Sequence, residues 1–180
     1  MSDLRPFSGF RPYSTPHLVI REVPWSNPVG ADLRTARQAE LEARGSTVQH
    51  GSDTAGGAAV FLIAYERSTG QPLGCGGLHR MDAAAEIKGV YVLPYARGSG
   101  VATAILTALE ARAKQMGYAL LLAEAGSAQP DGRRFYESGG YKVVPAFGPY
   151  LHTPDSTCFA KTIGIAVPLA KAGQGNAGAR

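Results

Sequence analysis

The chain has 180 residues, 44% of them hydrophobic, which is enough for a single domain with its own core. Its net charge of +4 arises without any run of five basic residues, so a small anionic ligand suits it better than a nucleic-acid groove. The two cysteines, Cys75 and Cys158, form no CxxC pair, and the four histidines show no metal-ligand spacing. We therefore expect reduced core thiols, no metal and no nucleic-acid partner. Because no secretory segment or long apolar stretch is recognisable, we also expect a cytoplasmic protein without a membrane partner.

The first half of the chain predicts a strand, a helix and then a run of strands. We expect an irregular segment over 1–17, a domain over 18–163 and a flexible Ala/Gly-rich tail over 164–180. Within the domain we predict a strand over 18–23, a helix over 29–44 that Asn27 could cap, a polar loop over 46–57, and an antiparallel meander over 58–65, 72–79 and 85–93.

The second half predicts two helices that alternate with strands. Apolar residues recur at helical spacing over 98–116, and Gly117 ends that helix. It joins the strand over 85–93 to one over 118–124, so these two strands should be parallel neighbours. A short helix over 130–138 and strands over 141–144 and 156–162 follow. The expected fold class is α/β, with a mixed, mostly antiparallel central sheet flanked by helices.

The junction between the third meander strand and the long helix has the properties of an anion site. Gly98 and Gly100 allow backbone dihedrals that other residues avoid, and Arg97 adds a permanent charge suited to phosphate. The helix that follows presents free N–H groups and the positive end of its dipole. This is neither a Walker A loop nor a complete GxGxxG fingerprint. The junction therefore predicts a phosphate-bearing ligand.

Two sequence blocks resemble the GNAT N-acetyltransferase superfamily, in particular its small single-domain bacterial members. The first is 86–102, in which Arg97-Gly98-Ser99-Gly100-Val101-Ala102 has the form of the family's acyl-CoA-binding motif. The second runs from Leu120 to Pro130 and continues through the Phe-Tyr-Glu of 134–141. The likeness covers about 18–163, with the two motifs in the family's order.

This resemblance implies that the two parallel strands splay apart and that acetyl-CoA enters the gap between them. The pantetheine arm would pair like an extra strand with the backbone of Val90, Tyr91 and Val92. Gln129 would either hydrogen-bond this arm or cap the short helix. The pyrophosphate would lie over Arg97, Gly98, Ser99, Gly100, Val101 and Ala102.

Acyl transfer to an amine requires a base for the ammonium group and an acid for the departing thiolate. The resemblance places Tyr136 at the position of the family's general acid, although an aromatic there could simply pack. Glu86 and Glu124 are the candidate bases, and each could instead be a solvated charge at a strand end. Gly89 could form a β-bulge that changes the face on which Glu86 lies.

The resulting hypothesis is a direct, ternary-complex transfer of an acetyl group from acetyl-CoA to a small amine. A non-catalytic acyl-CoA sensor on the same fold is the alternative, and an interaction module using the aromatic loop over 145–150 is a third. The acceptor and the oligomeric state are not readable from the sequence.

Overall fold

The computed structural model describes residues 17–45, 58–127 and 129–164. The segments expected to be irregular over 1–16 and flexible over 165–180, and the loop over 46–57, lie outside the described residues, and the domain limits stay predictions. Three α-helices are present in the described part: α1 Pro28–Ala43, α2 Val101–Gln115 and α3 Pro130–Ser138. The strands are β1 Leu18–Glu22, β2 Ala58–Glu66, β3 Pro72–Arg80, β4 Ala85–Val92, β5 Leu120–Gly126, β6 Lys142–Val144 and β7 Ser156–Thr162. Two 3-10 helices, Pro94–Ala96 and Gly148–His152, were not predicted.

The strands form one seven-stranded sheet in the order β1-β2-β3-β4-β5-β7-β6. β4 and β5 are parallel, whereas the other described pairs are antiparallel, so the expected α/β fold class is confirmed. The parallel ladder joins Ala85–Ile87 to Leu121–Ala123, and both strands then continue, β4 to Val92 and β5 to Gly126. The sheet is therefore split over the second half of β4.

Each face of the sheet packs against its own helices. On one face α2 buries Ile105 and Leu109 against alternate residues of the strands, such as Leu62 and Leu121. On the opposite face α1 packs Leu33 against Phe61, Ile63 and Cys75. Full burial of one such aliphatic side chain contributes about 1.5–3 kcal/mol. The split in the sheet lies between these two layers.

The helix ends explain where the element bounds differ from the prediction. α2 begins at Val101 rather than at residue 98, because Gly98 and Gly100 have positive φ and lie before the helix. At its other end the N–H of Tyr118 donates to the carbonyl of Ala113. This bond completes a C-terminal cap, so β5 begins only at Leu120. An equivalent bond from Tyr141 to Tyr136 caps α3 and shortens β6.

Glycines of β3 allow close packing beside the split. Gly74→Ala is expected to destabilise the protein by about 3 kcal/mol, because the added methyl group would overlap the backbone oxygen of Tyr91 in β4. Gly164→Ala is the matched control, since a Cβ there would meet no atom of the described residues within 4 Å. Urea denaturation of the two variants tests this prediction. Equal unfolding free energies for both would contradict it.

Candidate active site

A cavity of about 240 Å³ lies where β4 and β5 separate. Its walls come from β4, β5, α1, α3, the start of α2 and the 3-10 helix Gly148–His152. It brings together these sequence-predicted residues: Glu86, Val90, Tyr91, Val92, Arg97, Ala102, Glu124, Gln129 and Tyr136. The lining residues that sequence reasoning missed include Arg37, Glu40, Leu41, Arg44 and Tyr150.

The turn before α2 has the backbone that an anion site needs. Gly98 and Gly100 have φ values of 75° and 85°, a region that other residues rarely adopt. The Oγ of Ser99 donates a 2.6 Å hydrogen bond to the carbonyl of Ala96 and so closes the turn. The side chain of Val101 is buried in the core, so this residue can contact an anion only through its backbone N–H. This N–H and the next two backbone N–H groups of α2 have no acceptor within the helix.

Arg97 lines the cavity, and its guanidinium already has a protein partner. Nη2 lies 2.5 Å from Oε2 of Glu40 in α1, and Nε donates to the carbonyl of Val92 at 3.0 Å. The hydrogen bond from Arg97 lowers the pKa of Glu40 below its usual value despite partial burial. A ligand phosphate at this turn would therefore share Arg97 with Glu40. No local pattern in the sequence connects the two residues.

A β-bulge in β4 brings Glu86 and Tyr91 onto the same face of the sheet. Cys75 pairs with Tyr91 and Gly77 pairs with Lys88, so β4 carries one extra residue between these pairs. Gly89, with φ of 64°, takes the unusual conformation, and the bulge foreseen at this position is confirmed. Ile87 packs into the α2 face, and strand alternation then places Glu86 on the α1 face. Tyr91 lies on that same face.

Tyr136 reaches the cavity from the opposite side of the sheet. It lies on α3, and its ring packs against Phe159 and Tyr141 in the core below α2. Burial raises the pKa of its phenol well above the usual value, although the charge of Arg37 opposes this rise. The charges of Glu124 and Glu86 raise the pKa by smaller amounts. An intact sheet would keep this phenol apart from carboxylates on the other face. The split lets them share one cavity.

The two carboxylates differ in their surroundings. Glu86 is 5% exposed, and its Oε1 accepts a 2.7 Å hydrogen bond from the hydroxyl of Tyr150. Glu124 is half-buried, and its Oε1 accepts a 2.7 Å hydrogen bond from the Oγ of Ser156. Alternation along the parallel ladder places Glu124 on the same face as Glu86. Both are therefore available to a group that enters the cavity from the α1 side.

Comparison with known proteins agrees with this geometry. Residues 21–141 match the Acetyltransferase (GNAT) family. The chain belongs to this family. It is 31% identical over 105 residues to an IAA acetyltransferase from Azospirillum brasilense. The aligned region covers 57% of this chain and 67% of that protein. The family resemblance noted in the sequence is thereby confirmed.

Solved structures show the same GNAT fold. A proposed acyl-CoA N-acyltransferase from Klebsiella pneumoniae subsp. pneumoniae matches with a TM-score of 0.71 and 26% identity, over 82% of this chain and 98% of that one. A GNAT family acetyltransferase from Elizabethkingia anophelis with acetyl-CoA bound matches with a TM-score of 0.60 and 16% identity, over 82% and 99% of the two chains.

This GNAT domain contains further polar groups that could take part in a site. Gln129 lies at the N-cap position of α3, but its side chain does not cap the helix, which removes one of its two expected roles. Cys75 and Cys158 are buried thiols that form no disulfide with each other. The described part of the chain holds no group of three or more His, Cys, Asp or Glu side chains placed to bind a metal ion. Its helices are also too short or too polar to span a bilayer.

Proposed function

We propose that this GNAT protein transfers the acetyl group of acetyl-CoA directly to the amine of a small acceptor. The observation that carries this proposal is the cavity at the split, where the phenol of Tyr136 meets the carboxylates of Glu86 and Glu124 beside a glycine-rich turn. A binding module would need the turn but none of these three side chains. The family membership supports acetyl-CoA as the donor.

In this proposal the split strand and the turn bind acetyl-CoA. The backbone of Val90 and Val92 lies beyond the parallel ladder and offers hydrogen bonds to an extended, amide-bearing arm. The positive-φ glycines and the first amides of α2 receive the pyrophosphate, with Arg97 beside them. Gln129 lines the cavity near the expected path of the arm.

The chemical step needs two proton transfers, and the side chains present suit both. At neutral pH an aliphatic ammonium with a pKa near 10.4 is almost fully protonated, so a carboxylate must accept its proton before attack. The free amine then forms the C–N bond, and the C–S bond of the thioester breaks. Tyr136 donates its proton to the departing sulfur and regains one from the acylated nitrogen. Because burial raises the pKa of Tyr136, this phenol stays protonated throughout neutral pH.

A direct transfer is favoured over an acyl-cysteine intermediate. Burial raises the pKa of the Cys158 thiol, which disfavours the thiolate that would attack the thioester. Cys75 is fully buried, and its Sγ lies 3.8 Å from the carbonyl of Gly89. Neither thiol is therefore activated as a nucleophile.

Calorimetric titration with acetyl-CoA tests the donor site. Arg97→Ala is expected to weaken binding about tenfold, since a charge-assisted hydrogen bond at a partly exposed site contributes at the low end of about 1.5–3 kcal/mol. Lys114→Ala removes the same charge at the far end of α2 and should leave the affinity unchanged. Absence of binding by the wild type would refute the proposal. A panel of amines, assayed by release of CoA thiol, then identifies the acceptor.

A further inference from the structure

The 3-10 helix Gly148–His152 delivers a second phenol to the cavity. Tyr150 is 3% exposed, and its hydroxyl donates to Oε1 of Glu86 at 2.7 Å. Its ring packs edge-on against Phe147, and its N–H donates to the carbonyl of that same residue. The phenol is thus fixed by its own short helix, 64 residues along the chain from the carboxylate it contacts.

The hydrogen bond leaves the two oxygens of Glu86 in different environments. Oε1 is occupied by Tyr150, whereas Oε2 lies 3.8 Å from Nζ of Lys88. That ammonium also lies 5.8 Å from the centre of the Tyr150 ring. A buried carboxylate is costly to keep charged unless a donor or a cation supports it, and here both are present. The pair of supports fixes the rotamer of Glu86 and favours its ionised form.

The two tyrosines of the cavity are therefore not equivalent. The proton of the Tyr150 hydroxyl is directed at Glu86. The hydroxyl of Tyr136, in contrast, makes no hydrogen bond to any other described residue, although its ring is packed on several sides. The hydroxyl of Tyr136 can therefore donate its proton to a leaving group. The hydroxyl of Tyr150 instead donates its proton to the Glu86 carboxylate.

We propose that Tyr150 is a positioning residue that holds Glu86 charged and oriented as the base of the acyl transfer. This inference rests on the proposed function and deepens it, because it selects one of the two candidate carboxylates. The 3-10 helix Gly148–His152 then belongs to the catalytic apparatus as well as to the cavity wall. Glu124 lies near the end of β5 and accepts a hydrogen bond from Ser156 of β7, so this proposal leaves it for other contacts within the cavity.

Several titratable groups surround Glu86, and a pH experiment has to separate them. On β3, His79 is its direct cross-strand neighbour. The other titratable groups around it come from β4, α1, β5, α3, β7 and the 3-10 helix: Lys88, Arg37, Glu124, Tyr136, Cys158 and Tyr150. A substitution that removes one hydroxyl and no charge leaves this environment otherwise intact.

The test is a titration of glutamate side-chain carboxyls by carbon-13 NMR, with the Glu86 signal assigned from its loss in Glu86→Gln. In Tyr150→Phe the midpoint of Glu86 should move to higher pH by about one unit, since a carboxylate that loses a donor is protonated more readily. Tyr141→Phe is the matched control, because Tyr141 donates to Glu110 in a partly buried pair that does not line the cavity. It should leave the midpoint of Glu86 in place.

Kinetics complete the test, with whichever amine of the panel is acetylated. Tyr150→Phe should lower kcat/KM and move its acidic limb to higher pH by the same amount as the NMR midpoint. An unmoved midpoint, or an equal shift in Tyr141→Phe, would overturn the role of Tyr150 while leaving the proposed function standing. If the midpoint moves but the wild type acetylates no amine in the panel, the proposed function fails and the positioning role fails with it.

Discussion

Tyr136→Phe is expected to lower the turnover number by about 100- to 10,000-fold while leaving the affinity for acetyl-CoA unchanged. The substitution removes the hydroxyl that would protonate the departing thiolate and keeps the aromatic ring that packs against Phe159. In the proposed mode of binding, acetyl-CoA contacts the turn and the edge of β4, which this variant does not touch. Steady-state release of CoA thiol and calorimetric titration with acetyl-CoA measure the two quantities separately.

The control for this variant is Tyr141→Phe. Its ring contacts that of Tyr136 at 5.5 Å, so it reports on any disturbance of the packing around α3. It should retain the wild-type turnover number. If Tyr136→Phe turned over like the wild type, Tyr136 would be a packing residue. A wild type that binds acetyl-CoA but acetylates no amine would favour the sensor alternative.

Glu86→Gln is expected to lower kcat/KM by about 100- to 1,000-fold at pH 7, because the amide keeps the shape of the side chain but cannot accept the ammonium proton. Without the base the reaction depends on the free amine present in solution. That fraction rises about tenfold per pH unit below the amine pKa of about 10.4. The defect should therefore shrink as the pH is raised, which a profile of kcat/KM from pH 6 to about 10 would show.

Glu124→Gln provides the comparison, since it neutralises the other carboxylate on the same face of the cavity. We expect a smaller defect in Glu124→Gln, and one without the recovery at high pH. A larger loss in Glu124→Gln than in Glu86→Gln would assign the base to Glu124. It would also remove the reason for the Tyr150 contact in catalysis.

Much of the fold follows from local sequence patterns. The bounds predicted for α3 and β7 agree with the structure, and Pro130 suits the first turn of α3. The parallel pairing of β4 and β5 followed from the helix that connects them. The Gly89 bulge was foreseen from a glycine within a strand, but its effect on the faces of β4 needed the register with β3.

The contacts that organise the site join residues far apart in the chain. Arg97 meets Glu40 across 57 residues, and Tyr150 meets Glu86 across 64. No periodicity or motif records such a distance, because the contact depends on how α1 and the 3-10 helix Gly148–His152 dock on the sheet. The sequence of α1 also predicts a helix without indicating which of its charged residues enter the cavity.

The short parallel ladder changes how many edges the sheet has. An open sheet has two, here β1 and β6, and the parting of β4 from β5 adds two internal ones. Exposed strand edges recruit other chains, which is why proteins commonly shorten or cover them. The internal edges of this protein lie between the α1 and α2 layers and border the cavity. The gap between them suits an extended ligand arm that is narrower than a β-strand.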